Sequence, residues 1–163
     1  MVALGTFLVY PQHGPAEVVG RQTRRVGADE IDYLVLRVSV GDLTLMVPES
    51  SIQDLGLRDP MTAAEAKAIL ARLGEPHDGG GSNANGGWAR KFKARTEQSR
   101  TGDPSDLAEV VRAIAAAESP STAEKRLFDR CLAMLTAEIA TALKLDKEAA
   151  SARVAEALGA VPA

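Results

Sequence analysis

Hydrophobic and polar positions divide the chain into two parts with different periods. Through residue 56 the apolar runs are short and broken by turn residues. Phe7-Leu-Val-Tyr10 stops at Pro11-Gln-His-Gly14-Pro15, and Ala16-Glu-Val-Val19 leads on to Arg21-Gln-Thr-Arg-Arg-Val26. After a turn at Gly27-Ala-Asp-Glu30 comes Ile31-Asp-Tyr-Leu-Val-Leu-Arg-Val38, which is β-branched and partly alternating. It is the strongest strand signal in the sequence. Gly41-Asp42 then turns the chain into Leu43-Thr-Leu-Met-Val47, closed by Pro48. Four or five short strands at such spacing predict a small curled barrel of SH3-like or Tudor-like form over residues 1–56. A module of that size offers a docking edge but no enzyme-sized cleft.

From residue 57 onward the period becomes helical. Thr62-Ala-Ala-Glu65 has capping-box spacing, and Ile69, Leu70 and Leu73 mark one face before Gly74-Glu-Pro76 ends the helix. Residues 78–87 carry the run Gly79-Gly-Gly-Ser-Asn-Ala-Asn-Gly-Gly87, a flexible connector by composition. A helix from Trp88 to about Gly102 follows. Asp103-Pro104 supplies a capping acid and a proline at the first helical position, ahead of the stripe Leu107, Val110, Val111 and Ile114. Ser121-Thr-Ala-Glu124 opens the longest helix, whose apolar side carries Phe128, Cys131, Leu132, Leu135, Ile139, Ala142 and Leu143. Asp146 caps a last helix bearing Val154 and Leu158. The predicted class is α+β, a small β barrel followed by an all-helical domain of about five helices over 57–163.

Composition sharpens this picture. Hydrophobic residues make up 45% of the 163 residues and aromatics only 4%. Much of the apolar total is alanine, which favours close helix packing over a large aromatic-lined pocket. The formal charge of −3 leaves any nucleic-acid contact to a local basic patch. A single cysteine, Cys131, excludes an internal disulfide and fits a reducing compartment. Met1-Val-Ala-Leu-Gly-Thr6 lacks the basic and apolar regions of a signal peptide, and no segment approaches the roughly 20 apolar residues of a bilayer span. A cytoplasmic protein is expected.

Catalytic chemistry finds little material. His13 and His77 each sit beside turn residues without a ligand cluster, and one cysteine elsewhere leaves too few ligands for zinc. Cys131 lies within an apolar stripe, as an inert buried thiol does. The glycine run lacks the Gly-Lys-Ser/Thr ending of a phosphate-binding loop, and no strand leads into it. Acids stand mostly at helix starts, where capping accounts for them. The catalytic inventory is thin, and no cofactor or metal site is expected.

The candidate contact surface is the stretch Trp88-Ala-Arg-Lys-Phe-Lys-Ala-Arg95, which holds the only tryptophan. Between Gly86 and Arg100 there are five cations (Arg90, Lys91, Lys93, Arg95, Arg100) against one acid, Glu97. At 100° per residue, Trp88, Lys91, Phe92 and Arg95 share one side, while Arg90 and Lys93 point elsewhere. One reading makes Trp88 and Phe92 an i, i+4 core pair with a rim of solvated cations. The other has the Trp88 ring stack on or wedge against a base while the cations neutralise phosphates.

Several segments, in order from about residue 5 to 140, resemble the CarD family of bacterial transcription regulators. In the β part they are Val9-Tyr-Pro-Gln-His-Gly14, Tyr33-Leu-Val-Leu-Arg-Val38, Leu43 to Pro48 and Leu55-Gly-Leu-Arg58. In the helical part they are Trp88-Ala-Arg-Lys-Phe92, Thr101-Gly102, Ala108-Glu-Val-Val-Arg112 and Ser121-Thr-Ala-Glu-Lys-Arg126. The resemblance implies a Tudor-like N-terminal domain, similar to that of transcription-repair coupling factor, that docks on the RNA polymerase β subunit. It also implies a helical domain that contacts promoter DNA in the minor groove at the upstream edge of the bubble and stabilises the open complex. On this basis Trp88 is the wedge, Arg90 and Lys91 are its backbone partners, and Lys93 and Arg95 are further candidates. Arg24, Val26, Met46, Val47 and Pro48 fall on the polymerase-docking strands. The chain departs from the family at Met46, where some members have arginine, and in its longer glycine-rich run. The alternatives are a protein–protein adaptor whose helical part never touches DNA and, last in rank, a small enzyme using the glycine run. In each case a monomer is expected, with no membrane partner.

Overall fold

The computed structural model describes residues 3–76, 88–117 and 119–159, without the side chains of Trp88 and Ala89. His77 and the glycine run lie outside the described residues. The chain forms two compact units, Met1–Pro60 and Met61–Ala163.

The first unit is a four-stranded antiparallel half-barrel of strand order β1-β2-β3-β4. Its strands are β1 (Phe7–Tyr10), β2 (Gly14–Val26), β3 (Asp29–Val38) and β4 (Thr44–Pro48), with a single 3-10 turn at Glu49–Ser51. The two runs read separately as Ala16–Val19 and Arg21–Val26 form one strand, because a register shift between Val18 and Gly20 absorbs the break. Such a bulge bends the strand and increases its twist. Gly27, at φ 66°, starts the two-residue turn that pairs Val26 with Asp29. Alternation along β3 sends Leu34, Leu36 and Val38 inward to meet Ala16, Val18 and Val47.

The first unit continues past residue 56, four residues beyond the boundary read from the pattern. Leu57 is buried in the β core, and Arg58 pairs with β1 through Val9 N–H to Arg58 O (2.7 Å) and Arg58 N–H to Val9 O (3.2 Å). A lone leucine in a turn-rich stretch carries no periodicity that would assign it to either unit.

The second unit packs five helices among the described residues: α1 (Ala63–Leu73), α2 (Trp88–Ser99), α3 (Pro104–Ala115), α4 (Thr122–Leu143) and α5 (Lys147–Ala157). The predicted caps form. Thr62, Asp103 and Asp146 each accept backbone N–H groups at the starts of α1, α3 and α5. Ser121 and Glu124 close a complete capping box on α4. Lys144, left-handed at φ 56°, ends α4. The core joins Ile69, Leu70 and Leu73 of α1 to Leu107, Val111 and Ile114 of α3 and to Leu135 and Ile139 of α4. The buried face of α4 is shifted from the predicted stripe. Leu127 and Met134 are buried with Cys131, while Phe128, Leu132, Ala142 and Leu143 are only partly covered.

Two buried charges escape sequence reading. Glu138 is 1% exposed, and its Oε2 accepts the Met61 N–H at 2.7 Å, which fixes where the helical unit begins. Arg112 is 4% exposed. It donates to Glu109 (2.9 Å) and to the carbonyls of Glu75 (3.2 Å) and Pro76 (3.0 Å) just beyond α1. It lines a cavity of about 270 Å³ with Leu73, Gly74, Ala116 and Leu158. Gly74, Ala116 and Leu158 are the C-caps of α1, α3 and α5. A guanidinium there opposes the partial negative charge at three helix ends.

Candidate nucleic-acid interface

Helix α2 is held to the bundle along one face. Phe92 packs against the helical core, Arg95 Nη1 meets Glu124 Oε2 at 3.2 Å, and Ser99 is buried. The Ser99 hydroxyl donates to Thr96 O at 2.6 Å. Around the helix end, Gln98 (3.2 Å) and Thr101 (2.6 Å) both donate to Asp106 on α3, tying α2 to α3. The inward positions are therefore Phe92, Arg95 and Ser99, at i, i+3 and i+7.

Arg90, Lys93 and Glu97 repeat the same spacing on the opposite side, and all three are exposed. Arg100 is exposed as well, and Lys91 is half-buried. The ring exposure expected of Trp88 lies outside the described residues; its backbone opens α2. The cations thus divide as the helical projection divides them. Arg90 and Lys93 stand in solvent, where they can neutralise phosphates. Arg95, expected to contact DNA, has its guanidinium turned inward onto Glu124, with side-chain exposures of 17% and 7% for the pair.

The β unit sorts its candidates in the same way. The pairs Arg24↔Ile31, Gln22↔Tyr33 and Val26↔Asp29 put Arg24 and Val26 on one face with Ile31 and Tyr33. Across β3, the pairs Val35↔Met46 and Tyr33↔Pro48 extend that face to Met46 and Pro48. Four of the five predicted docking residues therefore share one surface: Arg24, Val26, Met46 and Pro48. The fifth, Val47, points the other way and is 4% exposed in the core, so its side chain cannot meet a partner. On the inner side of the β2–β3 hairpin two polar pairs form. Thr23 donates to Asp32 (2.7 Å) and Arg21 meets Glu49 (3.1 Å).

β4 ends the strand order. The Val38 N–H to Leu43 O bond (2.7 Å) fixes the alternation of this ladder, which turns the backbone groups of Thr44 and Met46 outward. Ile31, Tyr33 and Val35 were missed as docking candidates. Strict alternation counted outward from Leu34 would have found them.

Two family models match the chain. Residues 3–59 match the CarD-like/TRCF RID domain, and residues 73–155 match the CarD C-terminal domain. The chain belongs to the CarD family. It is 27% identical over 142 residues to a Bacillus subtilis (strain 168) protein named "Putative transcription factor YdeB", spanning 85% of this chain and 90% of that relative. The N-terminal 72-residue domain of Myxococcus xanthus CarD, known from a solution NMR structure, aligns at 25% identity. That alignment covers 36% of this chain and 79% of the domain, with a TM-score of 0.32. The two CarD models divide the chain much as its own contacts do, one over the β unit and one over the helices. Among the described residues no helix is long and apolar enough to cross a membrane.

Within this CarD protein the Cys131 thiol has the environment its sequence position suggested. Burial pushes its pKa up to about 11, against smaller opposing effects of Arg130 and Ser99. A thiol so disposed stays protonated and packs as a small apolar group.

Proposed function

We propose that this CarD family protein is a transcription regulator that docks on the RNA polymerase β subunit and contacts promoter DNA at the upstream edge of the bubble. The outer face of β2, β3 and β4, with the β4 edge, is the polymerase-docking surface. Backbone pairing along that edge does not depend on the identity of residue 46. Helix α2 meets DNA at its N-terminal end: Trp88, its first residue, is the wedge although the helical projection puts it on the side of Phe92 and Arg95, and Arg90 and Lys93 lie on phosphates.

The observation that carries this reading is the division of α2. One face is committed to the core, while two exposed cations lie within the first two turns of a helix that begins at the sole tryptophan. Extra contacts made only with melted promoter favour the open state, and a bound protein shifts that equilibrium by its differential affinity for the two states. A coupling of about 1–3 kcal/mol lengthens the open-complex lifetime severalfold or more.

The test is open-complex lifetime on a promoter fragment with polymerase, with and without the protein. Trp88→Ala should shorten the lifetime while leaving β-subunit pull-down intact, and Arg24→Glu should weaken the pull-down. Loss of the helical fold in Trp88→Ala would make Trp88 a core anchor. Direct DNA binding should weaken steeply with added salt. A flat salt response would mark the protein as an adaptor without a DNA contact.

A further inference from the structure

We infer that the Arg95–Glu124 pair positions α2 for DNA and is not itself part of the contact, so that Glu124, on a different helix, is a positioning residue of the nucleic-acid interface. The inference rests on the DNA reading of α2 given above.

Glu124 is fixed before it reaches α2. Its Oε1 accepts the Ser121 N–H at 3.2 Å, and the Ser121 hydroxyl accepts the Glu124 N–H at 3.1 Å, closing the capping box of α4. The second carboxylate oxygen, Oε2, receives Arg95 Nη1 at 3.2 Å. One carboxylate therefore caps α4 and ties down α2. Because the box already restricts its rotamers, little further side-chain entropy is lost when it holds Arg95.

Burial decides between a tie and a contact. Both side chains are largely withdrawn from solvent. Swinging Arg95 out to a phosphate would break an ion pair largely withdrawn from solvent, an expensive change. Arg90 and Lys93 need no such rearrangement. The tie falls two residues beyond Lys93, so it fixes the rotation of the helix turns that carry both exposed cations.

The test measures binding of the full chain to a fluorescein-labelled fork-junction duplex by anisotropy across a series of KCl concentrations. Amide hydrogen exchange of residues 88–99 is followed in parallel without DNA. Arg95→Gln and Glu124→Gln should each weaken binding about three- to tenfold at fixed salt, and the double variant should be no weaker than the weaker single variant. The slope of log K against log[KCl] should match the wild type in all three, because no phosphate partner has been removed. Exchange in α2 should rise while α3 stays protected.

A slope reduced by about 0.9 in Arg95→Gln would make Arg95 a phosphate contact and overturn the inference. Tighter binding by Glu124→Gln, through release of Arg95, would do the same, as would unchanged affinity or unchanged exchange in both single variants. Arg95→Gln leaves the capping box intact, so the test stands even where Glu124→Gln lowers stability. A control variant, Arg90→Gln with Lys93→Gln, separates the two readings. If it binds with wild-type affinity and slope, the DNA reading of α2 fails, and the DNA-free exchange alone decides whether the pair positions the helix.

Discussion

Met46 and Val47 are adjacent in sequence and opposite in facing, and on the proposed docking surface truncating each to alanine should separate docking from stability. Val47 is 4% exposed and faces Leu34 across the β3–β4 ladder. Val47→Ala removes two methyl groups at about 0.8 kcal/mol each. A cavity term raises the loss to about 2–3 kcal/mol. At about 0.05–0.15 kcal/mol per residue, a unit the size of Met1–Pro60 has only roughly 3–9 kcal/mol to lose. Amide hydrogen exchange suits the measurement because it reports each unit separately. Protection in β2 and β3 should fall about 30- to 150-fold, each 1.4 kcal/mol being tenfold, with the helices unchanged. Met46→Ala, half-buried on the outer face, should leave that protection within about fivefold but weaken polymerase β pull-down. Equal loss of protection in the two variants, or none in Val47→Ala, would refute the assignment of faces.

Three further outcomes follow from the helical unit. Burial raises the Glu109 pKa, but the hydrogen bond from Arg72 and the nearby Arg112 charge outweigh it, so the carboxyl titrates below its ordinary value of 4.5. A carboxylate depressed in the folded state contributes stability above its unfolded pKa and loses it as pH falls through the folded one. Urea midpoints measured from pH 5 down to pH 3 should therefore fall less steeply in Glu109→Gln than in the wild type. The difference should be at most about 1 kcal/mol once solvent screening is allowed for, and parallel curves would count against it. Lys144 ends α4 in a left-handed conformation, so Lys144→Gly should stabilise the chain by about 0.5–1 kcal/mol in the same urea titration; a loss of stability would mean its side chain matters more than its φ. Cys131, with a pKa of about 11, is roughly one part in a thousand thiolate at pH 8. Its reaction with a thiol reagent should therefore be far slower than that of the unfolded chain, and comparable rates would contradict the burial.

Much of the architecture was legible because it is written in short-range chemistry. The caps at Thr62, Asp103, Ser121 and Asp146 each act within three residues, so their side chains announce the helix starts wherever the chain folds. β3 announced itself by its alternation. The candidate site was legible in its residues but not in its facing. A helical projection grouped Lys91 and Arg95 with Trp88 and turned Arg90 and Lys93 away. It could not say which side the bundle would cover, and the covered side proved to be that of Phe92 and Arg95.

By itself, the sequence determined a β part of four or five short strands ahead of about five helices, the family, and the concentration of cations around Trp88. The elements and the cation cluster follow from local periodicity, capping and composition, and the family from the resemblance of ordered segments. Tertiary structure alone decided that Val47 points inward, that Leu57 and Arg58 belong to the β unit, and that Arg112 and Glu138 are buried charges. It also decided that Arg95 is paired with Glu124. The physical reason is the distance along the chain between the partners: 29 residues for Arg95 and Glu124, 37 for Arg112 and Glu75, 77 for Glu138 and Met61. No local pattern encodes such a pairing. Which cations remain in solvent is settled only when the helices pack and each buried charge takes its partner.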